Sequence, residues 1–208
     1  MNNKKVLLLG AFLEALELVE RTKFNIIGII DKDCEKQSIQ GHPVLGDDNW
    51  LLNQESNHYK KCPLVIPFDD GFLKEKLFNS YSESGYTFQT IKGGEVSPNA
   101  KLDQGCFLQS RTSISANCSV GKCVKLNTGS TIMHDCVIND FVTFAPHALA
   151  LGYVHVGKGT FVGANATILP NCKIGENVII GAGAVVNKDI PSGQTVIGIP
   201  AKPINISN

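Results

Sequence analysis

Five histidines and seven cysteines carry most of the chemical range of this 208-residue chain. Imidazole alone has an ordinary pKa that lets it gain and lose a proton near neutrality, so each histidine is a candidate general acid or base. His134 stands apart because Asp135 follows it directly. A carboxylate beside an imidazole can orient the ring and stabilise its protonated form, so the pair suits proton abstraction from a substrate; the competing reading is a solvated histidine in a turn. His42 and His58 lie among loop-like residues and receive no role. The cysteines run from Cys34 to Cys172 without a C-x-x-C pair, and their number is odd, which points to neither a disulfide framework nor a zinc ribbon.

The elements that must hold these residues change character near Gly93-Gly94, which divides the chain into residues 1–93 and 94–208. In the first part, apolar runs at Val6 to Leu9, Ile26 to Ile30 and Pro63 to Pro67 alternate with helical spacing over 11–21 and 69–82. Asp47-Asp48 can cap a short helix through Leu52, and Tyr86 to Ile91 reads as a fourth strand. Strands separated by helix-length segments predict βαβ crossovers, a small parallel sheet and a Rossmann-like α/β domain.

In the second part, positions taken every sixth residue from Val96 to Val186 are large and apolar in fifteen of sixteen cases, with Ala150 the exception. Three residues after each of them the chain prefers Gly, Asn or Asp, as at Asn99, Gly105, Asn117, Gly129, Asp135, Gly159, Asn165, Asn171, Asn177, Gly183 and Asp189. One strand step and one turn per six residues predicts a parallel β-helix of hexapeptide repeats. Three hexads should close one coil, because residues eighteen apart share a character: Thr112, Ser130, Ala148, Ala166 and Ala184 form one column and Cys106, Val124, Val142, Thr160 and Val178 another. About five coils at roughly 4.8 Å each make a triangular prism. Ala150 follows Phe144 in one coil, which reads as volume compensation.

Stacking by eighteen gives the polar residues neighbours. Gly152 lies one coil above His134, leaving bare backbone beside the imidazole. His147 stacks between Gly129 and Asn165, and His155 between Val137 and Lys173; both read as surface or partner-contact residues. No two histidines share the eighteen-residue spacing that would let them converge on a metal, so no metal is expected. Cys106, Cys118, Cys136 and Cys172 take inward small-residue positions, where a thiol packs as a small hydrophobe. Nineteen basic against nineteen acidic residues leave no net charge, which argues against nucleic acid and anionic membrane as partners. The apolar stretch from Val6 to Val19 is broken by Glu14 and Glu17 and is too short to cross a bilayer, so a soluble, unprocessed, cytoplasmic protein is expected.

Taken together, Ile30-Asp31-Lys32-Asp33, Gly41 to Gly46, the hexad run Asn127-Thr-Gly-Ser-Thr-Ile-Met-His134-Asp135, and Gly198-Ile-Pro-Ala-Lys202 resemble the sugar acetyltransferases of the sialic acid O-acetyltransferase (NeuD) type. That family includes bacillosamine-pathway, perosamine and viosamine N-acetyltransferases. The resemblance implies a left-handed parallel β-helix, a homotrimer with sites between prisms, and acetyl-CoA as donor. It assigns His134, Asp135 and Asn127 to catalysis, with the Gly152 N–H holding the oxyanion of the tetrahedral intermediate. For acetyl-CoA it implies Gly152, Ala164 and Ala182 along a prism edge, Lys202 near the nucleotide, and Thr143 where many relatives carry a second histidine. For the acceptor it implies Gly10, Asp31 and Asp33 in the first domain.

One departure bears on that acceptor. Relatives that hold a nucleotide-sugar commonly have a glycine-rich loop with a histidine after the first strand, whereas this chain reads Gly10-Ala-Phe-Leu-Glu-Ala15. The leading expectation is N-acetylation of a nucleotide-linked amino-deoxysugar for surface glycan synthesis. Its rivals are O-acetylation of a sugar such as a nonulosonic acid, and a non-catalytic prism that binds a ligand.

Overall fold

The structure is a computed structural model that describes residues 4–33, 37–54 and 57–204; Cys34 lies outside the described residues. The N-terminal unit runs β1 (Lys5–Leu9), α1 (Leu13–Arg21), β2 (Asn25–Ile30), β3 (Ser38–Ile39), β4 (His42–Gly46), α2 (Asp48–Leu52), α3 (Asn57–Lys60), β5 (Leu64–Val65) and α4 (Gly71–Glu83). Its sheet has the order β3-β4-β2-β1-β5, parallel except for the β3–β4 hairpin. Central strand β1 is apolar at Val6, Leu7, Leu8 and Leu9 because both its faces are covered. Val6 and Leu8 pack against α1, while Leu7 and Leu9 pack on the layer of Leu77, Phe78 and Tyr81 from α4. Helix α2 starts as its aspartates require, with the Asp47 carboxylate accepting from the Trp50 N–H at 2.7 Å.

The segment Tyr86 to Ile91 forms only part of the strand expected there. Phe88 makes a single parallel bridge to Leu64, and Ile91–Lys92 pairs with Phe107–Leu108 on the second unit. The aromatics of this segment meet α4, Tyr86 edge-on to Tyr81 and Phe88 stacked on Phe78. Gly93 then lets the chain pass close to α1, since a Cβ there would lie 2.4 Å from Leu18.

The second unit is a three-sided prism of short parallel strands. Strands pair eighteen residues apart, Ser113 with Thr131, Lys125 with Thr143 and Val137 with His155, so three hexads close each coil. A first face carries Thr131–Ile132, a second Val137–Ile138 and a third Lys125–Leu126. Every hexad position from Leu108 to Val186 is buried, and Phe144 and Ala150 are both 0% exposed. All six described cysteines are free and buried, Cys106, Cys118, Cys136 and Cys172 in the prism core. The turns explain the Gly, Asn and Asp preference: every sixth residue from Gly105 to Gly183, fourteen in all, has positive φ. Asn99 and Asp189, at the ends of the series, do not.

The two units share a desolvated junction. Phe107, Lys125 and Thr143 point outward from the third face and are nonetheless buried, Phe107 against the α1 side of the first unit and Lys125 and Thr143 beneath α4 and the segment before it. The Lys74 ammonium donates to the Val142 carbonyl at 3.0 Å and to the Thr143 hydroxyl at 2.7 Å, and that hydroxyl donates to the Asp69 carbonyl at 2.7 Å. Phe141, at a corner of the prism, packs edge-on against Phe78.

Candidate active site

His134 sits at the corner between the first and second faces, half-exposed, where the turn after Thr131–Ile132 turns it outward. Its Nδ1 lies 2.8 Å from the Asp135 carboxylate. Asp135 in turn accepts from the Asn117 amide at 3.1 Å. The hydrogen bond with His134 holds the Asp135 carboxyl below the ordinary carboxylate range, and the Asn117 amide adds to the effect. An ionised carboxylate only accepts, so Nδ1 carries the ring proton and Nε2 of the neutral imidazole presents its lone pair.

Two neighbours confine the ring. A Cβ on Gly152 would lie 2.7 Å from His134 Cε1 and 2.9 Å from Nε2, so this glycine is required by close approach. Among the described residues the Gly152 N–H has no backbone acceptor. On another side stands Tyr153, its ring centroid 5.3 Å from that of His134 at an interplanar angle of 86°. The arrangement is an exposed, oriented base next to an uncommitted backbone donor. It can take a proton from an attacking amine or hydroxyl and stabilise the charge that develops on a carbonyl oxygen.

The other residues named from the sequence fall on separate parts of the molecule. Asn127 lies at the corner between the third and first faces, where its amide donates to the Asp69 carboxylate at 2.9 Å and the Phe144 carbonyl at 3.1 Å; it does not reach His134 within the chain. Ala164 and Ala182 belong to that same edge, with the Gly183 N–H donating to the Ala164 carbonyl, whereas Gly152 shares the edge of His134. Thr143 is 1% exposed and committed to Lys74 and Asp69. Lys202 is exposed in the short strand Lys202–Pro203, which pairs antiparallel with Val196–Ile197.

Gly10 and Asp31 line a pocket of about 310 Å³ at the carboxyl ends of β1 and β2, together with Phe12, Phe68 and Leu73. The Asp31 carboxylate accepts from the Ala11 N–H at 2.8 Å and the Asp33 N–H at 2.9 Å, so it pins the loop that precedes α1. Asp33 does not line that pocket. Phe12 and Phe68 meet edge to face over Gly10, where a Cβ would lie 2.5 Å from the Phe12 ring.

Sequence reasoning missed Asn117, Tyr153, Asp69 and Lys74. The first two were available from the repeat itself, since they stand eighteen residues before and after Asp135. Asp69 and Lys74 carried no such signal, because their partners Asn127, Lys125 and Thr143 come from the other unit. Among the described residues no three His, Cys, Asp or Glu side chains converge as a metal centre, and no helix is long and apolar enough to cross a membrane.

Comparison with known proteins places this geometry. Residues 153–188 match the family described as bacterial transferase hexapeptide (six repeats). GDP-perosamine N-acetyltransferase of Escherichia coli O157:H7 is 35% identical over 201 residues, which cover 87% of this chain and 91% of that protein. Among solved structures, the acetyltransferase domain of PglB from Neisseria gonorrhoeae FA1090 in complex with acetyl coenzyme A superposes with a TM-score of 0.87 at 28% identity, over 98% of this chain and 100% of that one. PerB from Caulobacter crescentus in complex with CoA and GDP-perosamine superposes with a TM-score of 0.88 at 26% identity, over 99% of each chain. A hexapeptide prism behind an α/β unit, matched over nearly the full length of such relatives, makes this chain an acyltransferase that belongs to the hexapeptide-repeat acetyltransferase family of GDP-perosamine N-acetyltransferase.

Proposed function

We propose that the chain transfers an acetyl group from acetyl-CoA to the amino group of a nucleotide-linked amino-deoxysugar, as a cytoplasmic homotrimer of left-handed prisms serving surface glycan synthesis. The observation that carries this reading is the His134–Asp135 pair, one ring nitrogen committed to a carboxylate and the other beside the bare backbone of Gly152. The relatives bound to acetyl-CoA, CoA and GDP-perosamine support the donor and acceptor classes.

The prism edges suit a long, thin donor. A Cβ on Gly163 would lie 2.6 Å from the Ala182 nitrogen, and one on Gly181 would lie 2.6 Å from Ile197, so these glycines let successive coils close up at the corner while the small side chains of Ala164 and Ala182 leave its outer edge unobstructed. In this reading Gly152, Ala164 and Ala182 hold the pantetheine arm through backbone groups and Lys202 meets a phosphate. Because Gly152 lies on one edge and the two alanines on another, the groove needs two prisms, which supports the trimer. Acetyl-CoA, when bound, supplies an activated acetyl carbonyl. His134 Nε2 takes a proton from the acceptor nitrogen as that nitrogen attacks, Asp135 stabilises the resulting imidazolium, and the Gly152 N–H is aimed at developing negative charge. Asn127, fixed by Asp69, would meet the acceptor from the neighbouring chain. The N-terminal unit is then the Rossmann-like acceptor domain, with Gly10 and Asp31 in its pocket and Asp33 beyond it.

O-acetylation of a free sugar acid is favoured by one specific observation: Phe12 and Phe68 crowd Gly10 where backbone would approach phosphates. A panel of nucleotide 4-amino-sugars, free sialic acids and simple alcohols separates the two readings. Release of CoA with the nucleotide amino-sugars supports the proposal; release with sialic acid alone supports its rival. Failure of acetyl-CoA to raise the melting temperature would contradict both and favour a non-catalytic prism.

A further inference from the structure

We propose that Tyr153 is a positioning residue that holds the His134 imidazole in its productive orientation, an inference that rests on His134 being the base. The fourteen positive-φ corners of the prism set the standard against which it stands out. Nine of them are Gly, Asn or Asp, which accept that conformation with little penalty, and five are not: Arg111, Cys123, Phe141, His147 and Tyr153. Cys123 and Phe141 are buried under the N-terminal unit, so docking explains them. His147 covers Gly129, and Arg111 lines a groove beside α1.

Tyr153 has no such partner in the core. It is 54% exposed, at φ +62°, and its ring is set perpendicular to His134. Its column shows what an unconstrained corner would hold, since Asn117 lies two coils below it and Asn171 one coil above, both with positive φ. A bulky ring in a strained, solvent-facing corner is unfavourable for folding, and its contacts are with the base and with the Asp135 carboxylate that orients the base. Asp135 fixes one atom of the imidazole, and Gly152 and Tyr153 bound the ring, so the three together stop rotation about the Cβ–Cγ bond. Asp135 and Gly152 alone would leave one side open.

Tyr153→Asn and Tyr153→Phe test this in the intact protein. The first relieves the corner and removes the ring; the second keeps the ring and removes only the hydroxyl and its interaction with Asp135, so it separates the ring's contact with His134 from the hydroxyl's contact with the carboxylate. Nitrogen-15 NMR of the histidine rings reads the tautomer without any acceptor. We expect the Nδ1–H signature of His134 in the wild type and Tyr153→Phe, and tautomer exchange in Tyr153→Asn, whose melting temperature should be no lower than wild type. With GDP-perosamine as acceptor probe, Tyr153→Asn should lose about tenfold or more in kcat with both KM values within about twofold, as expected for a misplaced catalytic group. Tyr153→Phe should stay within about twofold in kcat.

Identical histidine spectra in all three proteins overturn the inference, as does a lowered melting temperature of Tyr153→Asn or a raised acceptor KM at unchanged kcat. The last result would make Tyr153 a binding residue. If His134→Ala retains turnover, the base assignment itself fails, whatever the tyrosine variants do.

Discussion

At the scale of the residue, the site depends on an absence as much as on a side chain. Gly152 is not in a left-handed conformation, so alanine there would meet no backbone strain; its methyl would instead press on the His134 ring at 2.7–2.9 Å. Gly152→Ala should therefore fold with a near-normal melting temperature while turnover falls by about 10²-fold, the scale of a reacting group displaced by an ångström. Equal loss of stability and activity would contradict that account. His134, Asp135 and Gly152 were all legible before any coordinates, because a repeat of eighteen turns sequence distance into spatial neighbours. Tyr153 obeyed the same arithmetic but was not read, since its meaning lies in breaking the turn preference.

Among the elements, α4 decides how the two units meet. Lys74 is 0% exposed, and burial drives its pKa down to about 7 from an ordinary 10.5. Cys123, Asp69, Lys125 and Cys106 are the other ionisable groups around it. Between about pH 7 and 10.5 the unfolded chain holds a proton on this lysine that the folded chain has released, so stability rises with pH across that window and is lost as pH falls through 7. Lys74→Met should abolish this slope, because both acceptors keep other hydrogen bonds: Val142 O accepts the Lys125 N–H and Thr143 still donates to Asp69. At pH 6 the variant should be more stable by about 1–4 kcal/mol, the range seen when buried ions give way to apolar isosteres, and the gap should close toward pH 9. Denaturant titrations at the two pH values check this; a constant gap would show that the lysine does not titrate on folding. None of this junction could be read from the sequence, where Lys74 looks like one charge on a helix. Helix α4 itself was readable from its spacing, and so were the prism strands. The Tyr86 to Ile91 strand is present only in part, as a bridge at Phe88 to Leu64 and the pairing of Ile91 with Phe107, because its aromatics turn to α4.

The whole molecule divides its candidate site between two prism edges, His134 and Gly152 on one, Asn127, Ala164 and Ala182 on the other. If neighbouring chains complete it, co-expressed His134→Ala and Asn127→Ala chains should regain activity that neither has alone, with about a quarter of interfaces pairing two unaltered halves under random assembly. No recovery would mean that each site is built within one chain. The claim on which the rest depends is that His134 is the general base of acetyl transfer, and CoA release by purified His134→Ala tests it most directly. The account predicts a trimer that melts like the wild type and turns over about 10²–10⁴-fold more slowly. A folded variant with near-normal turnover would contradict it.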